Sequence, residues 1–242
     1  GQPAVMLDDV RRMRYRRHLR ASGWLRSVYK VVADRYHSGE FRPGHHHSFV
    51  KSYIDSFDEL ANGKVIRTIV SQSATDYLTD MVLQYDQNKR LSKDPYNLPW
   101  AIGMTMSGAG YNTKLSTLPP RQSWVELDAS QFDSTMPRWV LHAIAELRAK
   151  GFASHEQGAE IRSALHAAYE SLRVGYIHEL TTGETFRKER GGSTGSASTT
   201  ANNTLGMQII LRYAICHALN ISPEQADSLS TIMNAGDDAI MG

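Results

Sequence analysis

The stretch Asn234-Ala-Gly-Asp-Asp-Ala-Ile-Met241 predicts the fold of this chain more directly than any other part of the sequence. Two adjacent carboxylates, Asp237 and Asp238, follow a glycine, and apolar residues flank the triplet. This pattern is typical of a tight turn between two short strands. Such a turn would carry both carboxylates out of the sheet together, so we expect a hairpin with an acidic tip.

A second acidic pair, Asp128 and Asp133, lies upstream, and a run rich in glycine, serine, threonine and asparagine (191–204) separates the two pairs. A short strand predicted over Trp124–Leu127 would end at Asp128. Phosphoryl transfer builds charge on the attacking and leaving oxygens, and two divalent ions about 3.5–4 Å apart stabilise both. Magnesium prefers oxygen ligands, usually one or two carboxylates. Asp128 and Asp237 are the predicted pair, and they would converge if their strands are neighbours.

Size and composition are those of a folded protein. The 242 residues are 41% hydrophobic and 21% charged, which suffices for one substantial core or two small ones. No run approaches the roughly 18 apolar residues of a membrane span, and no secretory signal pattern begins the sequence. A single cysteine, Cys216, excludes an internal disulfide. Because the sequence begins at Gly1 and stops soon after Asp238, we interpret it as part of a longer polypeptide.

The charge is unevenly distributed, although the net charge is only +2. Residues 11–30 contain no acid, and the aromatic residues Tyr15, Trp24 and Tyr29 are interleaved with the basic ones. An arm that binds nucleic acid explains this pattern about as well as a solvated basic helix face or a surface that binds an acidic partner. The other motifs favour nucleic acid. The basic residues are Arg11, Arg12, Arg14, Arg16, Arg17, Arg20, Arg26 and Lys30.

Periodicity and capping residues predict an α+β protein with a small antiparallel sheet backed by helices. Residues 39–47, with three adjacent histidines, are predicted to form a solvated loop. Strands are predicted over 64–70, 176–180 and 184–189. Helices are predicted over 75–91, 137–150, 154–173 and 199–218, and a short helix is predicted to begin at Ser222. The helix over 154–173 has a capping-box pattern formed by Ser154 and Gln157. The predicted buried faces are Leu78, Met81, Val82 and Tyr85 in the first helix, and Trp139, Val140, Ala143, Ile144 and Leu147 in the second.

Three motifs, in this order and spacing, resemble palm motifs A, B and C of viral RNA-dependent RNA polymerases. They are Asp128-x4-Asp133, Thr194-Gly195-x3-Thr199-x3-Asn203-Thr204 and Gly236-Asp237-Asp238. Their details are most similar to the picornavirus-like group, nearest to potyvirus-type and sobemovirus-type replicases. The segment Pro99–Thr105 adds to the likeness, and Lys64-Val-Ile-Arg67-Thr68 resembles motif F of the fingers.

The resemblance implies a right-hand polymerase fold with the palm and part of the fingers. Residues 1–60 would form a basic N-terminal or fingers segment, and 61–120 a portion of the fingers with motif F. Residues 121–242 would form the palm, ending after motif C, so that motif D and the thumb are missing. We therefore expect this piece alone to be inactive.

The resemblance also assigns roles to the acidic residues and the polar loop. Asp128 and Asp237 would bind two Mg²⁺ ions, for which Mn²⁺ can substitute, and Asp238 would assist beside them. Thr194 and Gly195 would belong to a flexible loop under the template and the nascent pair. The family usually has serine at the position of Thr194, and a β-branched residue stiffens such a loop.

Further residues would bind the incoming nucleotide. Asp133 and Asn203 would read the ribose 2′-hydroxyl, which distinguishes ribonucleotides from deoxyribonucleotides, and Thr199 would support them. Lys64 and Arg67 would neutralise the triphosphate. Taken alone, however, these two basic residues are more typical of a charged surface strand.

The implied partners are an RNA template, nascent RNA, nucleoside triphosphates and other viral replication proteins. The implied activity is replication of a positive-strand RNA virus genome, with the enzyme encoded in a polyprotein. The implied location is host cytoplasm, at membrane-associated replication complexes, although no membrane segment is predicted in this chain.

Three alternatives use the same residues differently. A reverse transcriptase would have an aromatic residue at position 133, where this chain has Asp133, and Phe132 would point to the other face. A non-catalytic RNA-binding palm-like domain would gain nothing from clustered carboxylates. A metal-dependent phosphohydrolase would explain the acids but not the polar loop.

Overall fold

The computed structural model describes residues 27, 30–50, 61–62, 68–105, 107–121 and 123–242. A helical segment over residues 30–38 comes first. The elements that follow are β1 (Gly44–Val50), β2 (Thr68–Gln72), α1 (Ala74–Leu91), α2 (Ala109–Thr117), β3 (Val125–Leu127), α3 (Phe132–Thr135), α4 (Arg138–Lys150), α5 (Gly158–Arg173), β4 (Gly175–Glu179), β5 (Thr185–Lys188), α6 (Thr199–Leu219), α7 (Pro223–Leu229), β6 (Ile232–Ala235) and β7 (Asp238–Met241).

The smaller sheet has three antiparallel strands in the order β3-β7-β6. Strands β6 and β7 form a hairpin in which Ala235 pairs with Asp238, so the turn consists of Gly236 and Asp237. Gly236 has a φ of +73°, which residues with a Cβ rarely adopt. The predicted hairpin with an acidic tip and the predicted α+β fold with a small antiparallel sheet are therefore confirmed.

The larger sheet has four strands in the order β2-β1-β4-β5. Strands β1 and β4 are parallel, and the other neighbours are antiparallel. The β4–β5 pair is the hairpin predicted over 176–189, and β2 contains the end of the strand predicted over 64–70. This sheet contains strands from all three predicted segments (1–60, 61–120 and 121–242). The division of the chain into domains at these limits stays a prediction.

The prediction of a solvated histidine loop is wrong, because these residues form strand β1. Pairing with β2 on one side and β4 on the other buries alternate side chains, and His46 is 0% exposed. Burial, and next the positive charge of Lys188, lower the pKa of His46 to about 4. His45 lies on the other face, where its Nδ1 is 3.3 Å from Nε2 of His178.

The helical core lies between α4, α5 and α6, where Val140, Ile144, Leu165 and Leu205 are buried. Helix α4 begins after Pro137 and ends at Gly151, as predicted. The limits of α6 and the capped start of α7 also agree with the prediction. Within the part of the chain that the structure describes, no helix has both the length and the apolar character to cross a membrane.

The predicted buried faces of two helices are partly wrong. In α4, Trp139 and Leu147 are exposed, because two helices, α5 and α6, pack against it and turn Leu141 and Ala145 inward. In α1, Val82 and Tyr85 are exposed, and the buried face is mostly polar. It comprises Asp76, Thr79, Asp80, Leu83 and Gln84. The predicted capping box is also absent, since Gln157 is the N-cap of α5 and its side chain makes no cap bond.

Candidate active site

Strand pairing brings the three acids predicted to bind metal to one edge of the smaller sheet. Leu127, the last residue of β3, pairs with Ala239 in β7, so Asp128 reaches the level of Asp238. Asp237 lies in the adjoining turn. Asp128 and Asp238 are exposed, and Asp237 is half-buried. The strands that carry the acids are therefore neighbours, as the predicted convergence requires.

The chemistry of these side chains fits a hard divalent cation. Each acid offers carboxylate oxygens, and Mg²⁺ commonly takes one or two carboxylates and completes its shell with water and substrate phosphates. Among the residues that the structure describes, no three His, Cys, Asp or Glu side chains form a ready-made metal cage.

Asp133 and Asn203 form a bonded pair beside this edge. Asn203 Nδ2 donates a hydrogen bond to Asp133 Oδ1 at 2.6 Å. Buried Phe132 anchors the short helix α3 that carries Asp133. Burial raises the pKa of Asp133, the hydrogen bond from Asn203 opposes this, and the charge of Asp237 raises the pKa further. The pair and the acidic turn are therefore within electrostatic reach of each other.

The polar loop before α6 is bonded to strand β2. Thr194 Oγ1 accepts a hydrogen bond from Val70 N at 3.0 Å, and Gly195 N donates to Val70 O at 2.9 Å. The Thr199 hydroxyl donates to the carbonyl oxygens of Ser193 and Thr194, at 2.9 and 3.1 Å. Thr199 therefore closes the loop, and the structure gives its side chain no hydrogen bond to the Asp133–Asn203 pair.

The basic residues of motif F, Lys64 and Arg67, lie outside the described residues. Strand β2 begins at Thr68, directly after them, and it is the strand that holds the polar loop. Their role toward a triphosphate stays a prediction.

A close backbone approach joins the start of the polar loop to motif A. Gly191 has a φ of +74°, and a Cβ there would lie 2.6 Å from the carbonyl oxygens of Asp133 and Ser134. The neighbouring Gly192 N donates to Asp133 O at 2.5 Å. Buried Lys188 donates to Gly191 O at 2.8 Å, and burial lowers the pKa of this lysine to about 7. Only glycine fits at position 191.

Sequence reasoning missed a buried polar network beneath the site. Arg148 donates from one terminal nitrogen to Oδ1 of Asn88 and Oδ1 of Asn202, each at 2.9 Å. The Tyr169 hydroxyl donates to Asn202 Oδ1 at 2.7 Å and to Gln84 Oε1 at 3.0 Å. Asn202 directly precedes Asn203, so the network supports the helix turn that carries Asn203.

Sequence reasoning also missed Gln208 and Asn234, whose side chains bond to each other at 2.7 Å behind the acidic turn. Polar amides inside otherwise apolar elements were the available signal, since buried amides need partners. Asn202 in the apolar helix α6 gave the same signal.

Together, the acidic sheet edge, the backing helix and the Asp133–Asn203 pair define the palm of a right-hand polynucleotide polymerase. The family model of viral RNA-dependent RNA polymerase matches residues 13–242. The chain belongs to this family.

Individual relatives agree with this assignment. The genome polyprotein of Lettuce mosaic virus (strain 0 / isolate French) is 26% identical over 216 residues, which cover 89% of this chain and 6% of the polyprotein. That of Pea seed-borne mosaic virus (strain DPD1) is 28% identical over 144 residues, covering 59% of this chain and 4% of the polyprotein. The chain therefore spans only a small part of these relatives.

A solved structure shows the same fold. The Sicinivirus 3Dpol RNA dependent RNA polymerase superposes with a TM-score of 0.68 at 19% identity, covering 89% of this chain and 43% of that polymerase. The predicted resemblance to picornavirus-like viral polymerases is confirmed by this neighbour together with the potyvirus polyproteins.

Proposed function

We propose that this chain supplies the nucleotidyl-transfer site of an RNA-directed RNA polymerase that replicates a positive-strand RNA virus genome. One observation carries the proposal. Strand pairing places Asp128 at the level of Asp238, next to the Asp237 turn, and the Asp133–Asn203 pair lies within electrostatic reach of that turn. The family assignment supports the same activity.

In this proposal the three acids of the sheet edge hold the metal ions. Asp128 and Asp237 would bind two Mg²⁺ ions, or Mn²⁺ in their place, and Asp238 would assist. When bound, such ions stabilise the charge that develops on the attacking 3′-oxygen and on the pyrophosphate. Asp128 and Asp238 are exposed and Asp237 is half-buried, so template, nascent RNA and nucleotide would have access to this edge.

The Asp133–Asn203 pair would select the sugar. One Asp133 oxygen accepts from Asn203, which leaves the second oxygen free for a ribose hydroxyl and leaves Asn203 a second amide hydrogen. A deoxyribose lacks the 2′-hydroxyl and leaves these polar groups without that partner. Thr194 and Gly195 would lie under the template and the nascent base pair. Lys64 and Arg67 would neutralise the triphosphate.

The proposal extends to the surroundings of the enzyme. We propose work in host cytoplasm at membrane-associated complexes, together with other viral replication proteins. We expect the isolated 242 residues to be inactive, since they cover 43% of the Sicinivirus polymerase chain.

The test is templated extension by the longest natural polypeptide that contains this sequence. An annealed RNA template and primer are incubated with Mg²⁺ and with ribonucleotides or deoxyribonucleotides in parallel. We expect ribonucleotide incorporation that is lost in Asp237→Ala. Incorporation of deoxyribonucleotides would indicate a reverse transcriptase, and RNA binding without incorporation would indicate a non-catalytic binder.

A further inference from the structure

The acidic turn is held from behind by a hydroxyl of helix α6. Thr204 Oγ1 accepts a hydrogen bond from Gly236 N at 2.7 Å. The same hydroxyl donates to Thr200 O at 2.8 Å, so its hydrogen already has a partner and its lone pair is directed to the turn. Thr204 is 0% exposed, and Gly236 is buried. No solvent is available to replace this bond.

Two buried amides complete the contact. Asn234 Nδ2 donates to Thr204 O at 3.0 Å and to Gly236 O at 2.9 Å. Gln208 Nε2, one helical turn beyond Thr204, donates to Asn234 Oδ1 at 2.7 Å. Gly236 N is thus bonded directly to α6, and Gly236 O is bonded to Asn234, whose side chain in turn bonds to α6. We call Thr204, Gln208 and Asn234 the turn clamp.

Two neighbouring residues of α6 bond to two different parts of the site. Asn203 bonds to Asp133, whereas the next residue, Thr204, bonds to the turn that carries Asp237. One rigid helix turn therefore supports both the sugar-reading pair and the acidic turn. The turn is only two residues long, Gly236 and Asp237, so its orientation depends on the groups to which it bonds.

We propose that Thr204 is a positioning residue that fixes the metal-binding turn, and that Gln208 and Asn234 hold the turn in the same orientation. This inference rests on the proposed function, because it assumes that Asp237 binds a divalent ion. Fixing the turn before the ion arrives removes an ordering cost from ion binding. Loss of the hydroxyl would therefore weaken ion binding while every carboxylate remains in place.

The experiment compares Thr204→Val, which keeps the shape and deletes the hydroxyl, with Thr204→Ser, which keeps the hydroxyl. Both are made in the longest natural polypeptide that contains the sequence. Mn²⁺ affinity is measured by electron paramagnetic resonance without RNA, and the Mg²⁺ dependence of extension is measured separately. We expect Thr204→Val to weaken Mn²⁺ binding about tenfold and to raise the half-saturating Mg²⁺ concentration. Thr204→Ser should restore both to near the wild-type values.

A matched control is Thr113→Val, since the Thr113 hydroxyl donates to Ala109 O within helix α2. This control should leave Mn²⁺ binding unchanged. Should Thr204→Val fail to fold, Gln208→Met removes the donor to Asn234 and is expected to weaken Mn²⁺ binding by a smaller factor. Unchanged Mn²⁺ affinity in folded Thr204→Val, or an equal loss in Thr204→Ser, would overturn the proposal.

The proposed polymerase function and the proposed role of the turn clamp can be disproved by different results. If Thr204→Val and Asp237→Ala both weaken Mn²⁺ binding but the wild type extends no primer, the clamp stands and the polymerase assignment fails. If the wild type extends the primer and Thr204→Val has wild-type metal dependence, the polymerase stands and the clamp fails.

Discussion

The acidic edge of the small sheet and the polar network beneath it are built in opposite ways. Asp128 and Asp238 are exposed at the edge. Arg148, Tyr169 and Asn202, by contrast, are buried and bonded to one another through Asn202 Oδ1. The exposed edge and the buried network thus differ in both solvent access and hydrogen bonding.

Helix α6 connects the two regions. Asn202 bonds into the buried network, and the next residue, Asn203, bonds to Asp133 at the site. Removing one partner of a buried polar group leaves the other unsatisfied, whereas removing an exposed carboxylate leaves water in its place. Substitutions at the exposed edge should therefore lower activity more than stability, and substitutions in the buried network should lower stability more than activity.

The largest effect is expected at the exposed edge. Asp128→Ala should lower the rate of RNA extension at least about a thousandfold, because Asp128 is proposed to bind a metal ion. Its free energy of unfolding should change by no more than about 0.5 kcal/mol, as for other exposed positions. Extension kinetics and urea unfolding on the same preparation check both statements. Near-normal extension would remove Asp128 from the metal site.

The reverse pattern is expected in the network. Arg148→Met should lower the free energy of unfolding by about 3 kcal/mol, since Asn88 and Asn202 lose a buried charged donor. The matched control is Arg162→Met, because Arg162 pairs with Glu146 at the surface and should contribute less than about 1 kcal/mol. Equal losses in the two variants, measured by urea unfolding, would contradict a special role for the network.

A smaller effect is expected where the two regions meet. Asn203→Ala should reduce the preference for ribonucleotides over deoxyribonucleotides about tenfold, the worth of one hydrogen bond to a charged group. The ratio of kcat/KM values for matched nucleotides measures it. Exposed Asn97, which bonds to Asp94, provides the control Asn97→Ala. An unchanged ratio in Asn203→Ala would exclude Asn203 from sugar selection.

The last prediction concerns the pH dependence of the buried region. Burial raises the pKa of Asp80 to about 7, so the folded protein binds more protons than the unfolded chain between about pH 4 and 7. This contribution to stability is present at low pH and is lost as the pH rises through that window. Asp80→Asn should lack it, so the difference in unfolding free energy between the two proteins should change with pH. If the unfolding free energies of the two proteins changed with pH in parallel, the prediction would be contradicted. The titration of His46 contributes equally to both proteins and therefore cancels in the difference.

Local chemistry explains what could be predicted. Pro137, Gly151, Ser222 and Gly236 mark the ends of helices and the hairpin turn because each has a backbone or capping preference that acts over a few residues. The strands next to Asp128 and Asp237 followed from the same local signals. Strand β1 could not be predicted, because its strand conformation depends on pairing with β2 and β4 from distant parts of the chain.

The sequence by itself determined the acidic hairpin, the limits of helices α1, α4 and α6, and the residue types of the site, since turn, cap and metal-ligand chemistry are properties of short segments. Only the tertiary structure decided which helix faces are buried, that Thr194 and Gly195 of the polar loop bond to strand β2, and that Thr204 bonds to the turn at Gly236. Those outcomes depend on which elements meet. A hydrogen bond between buried groups forms only where packing excludes water and brings together residues far apart in the chain.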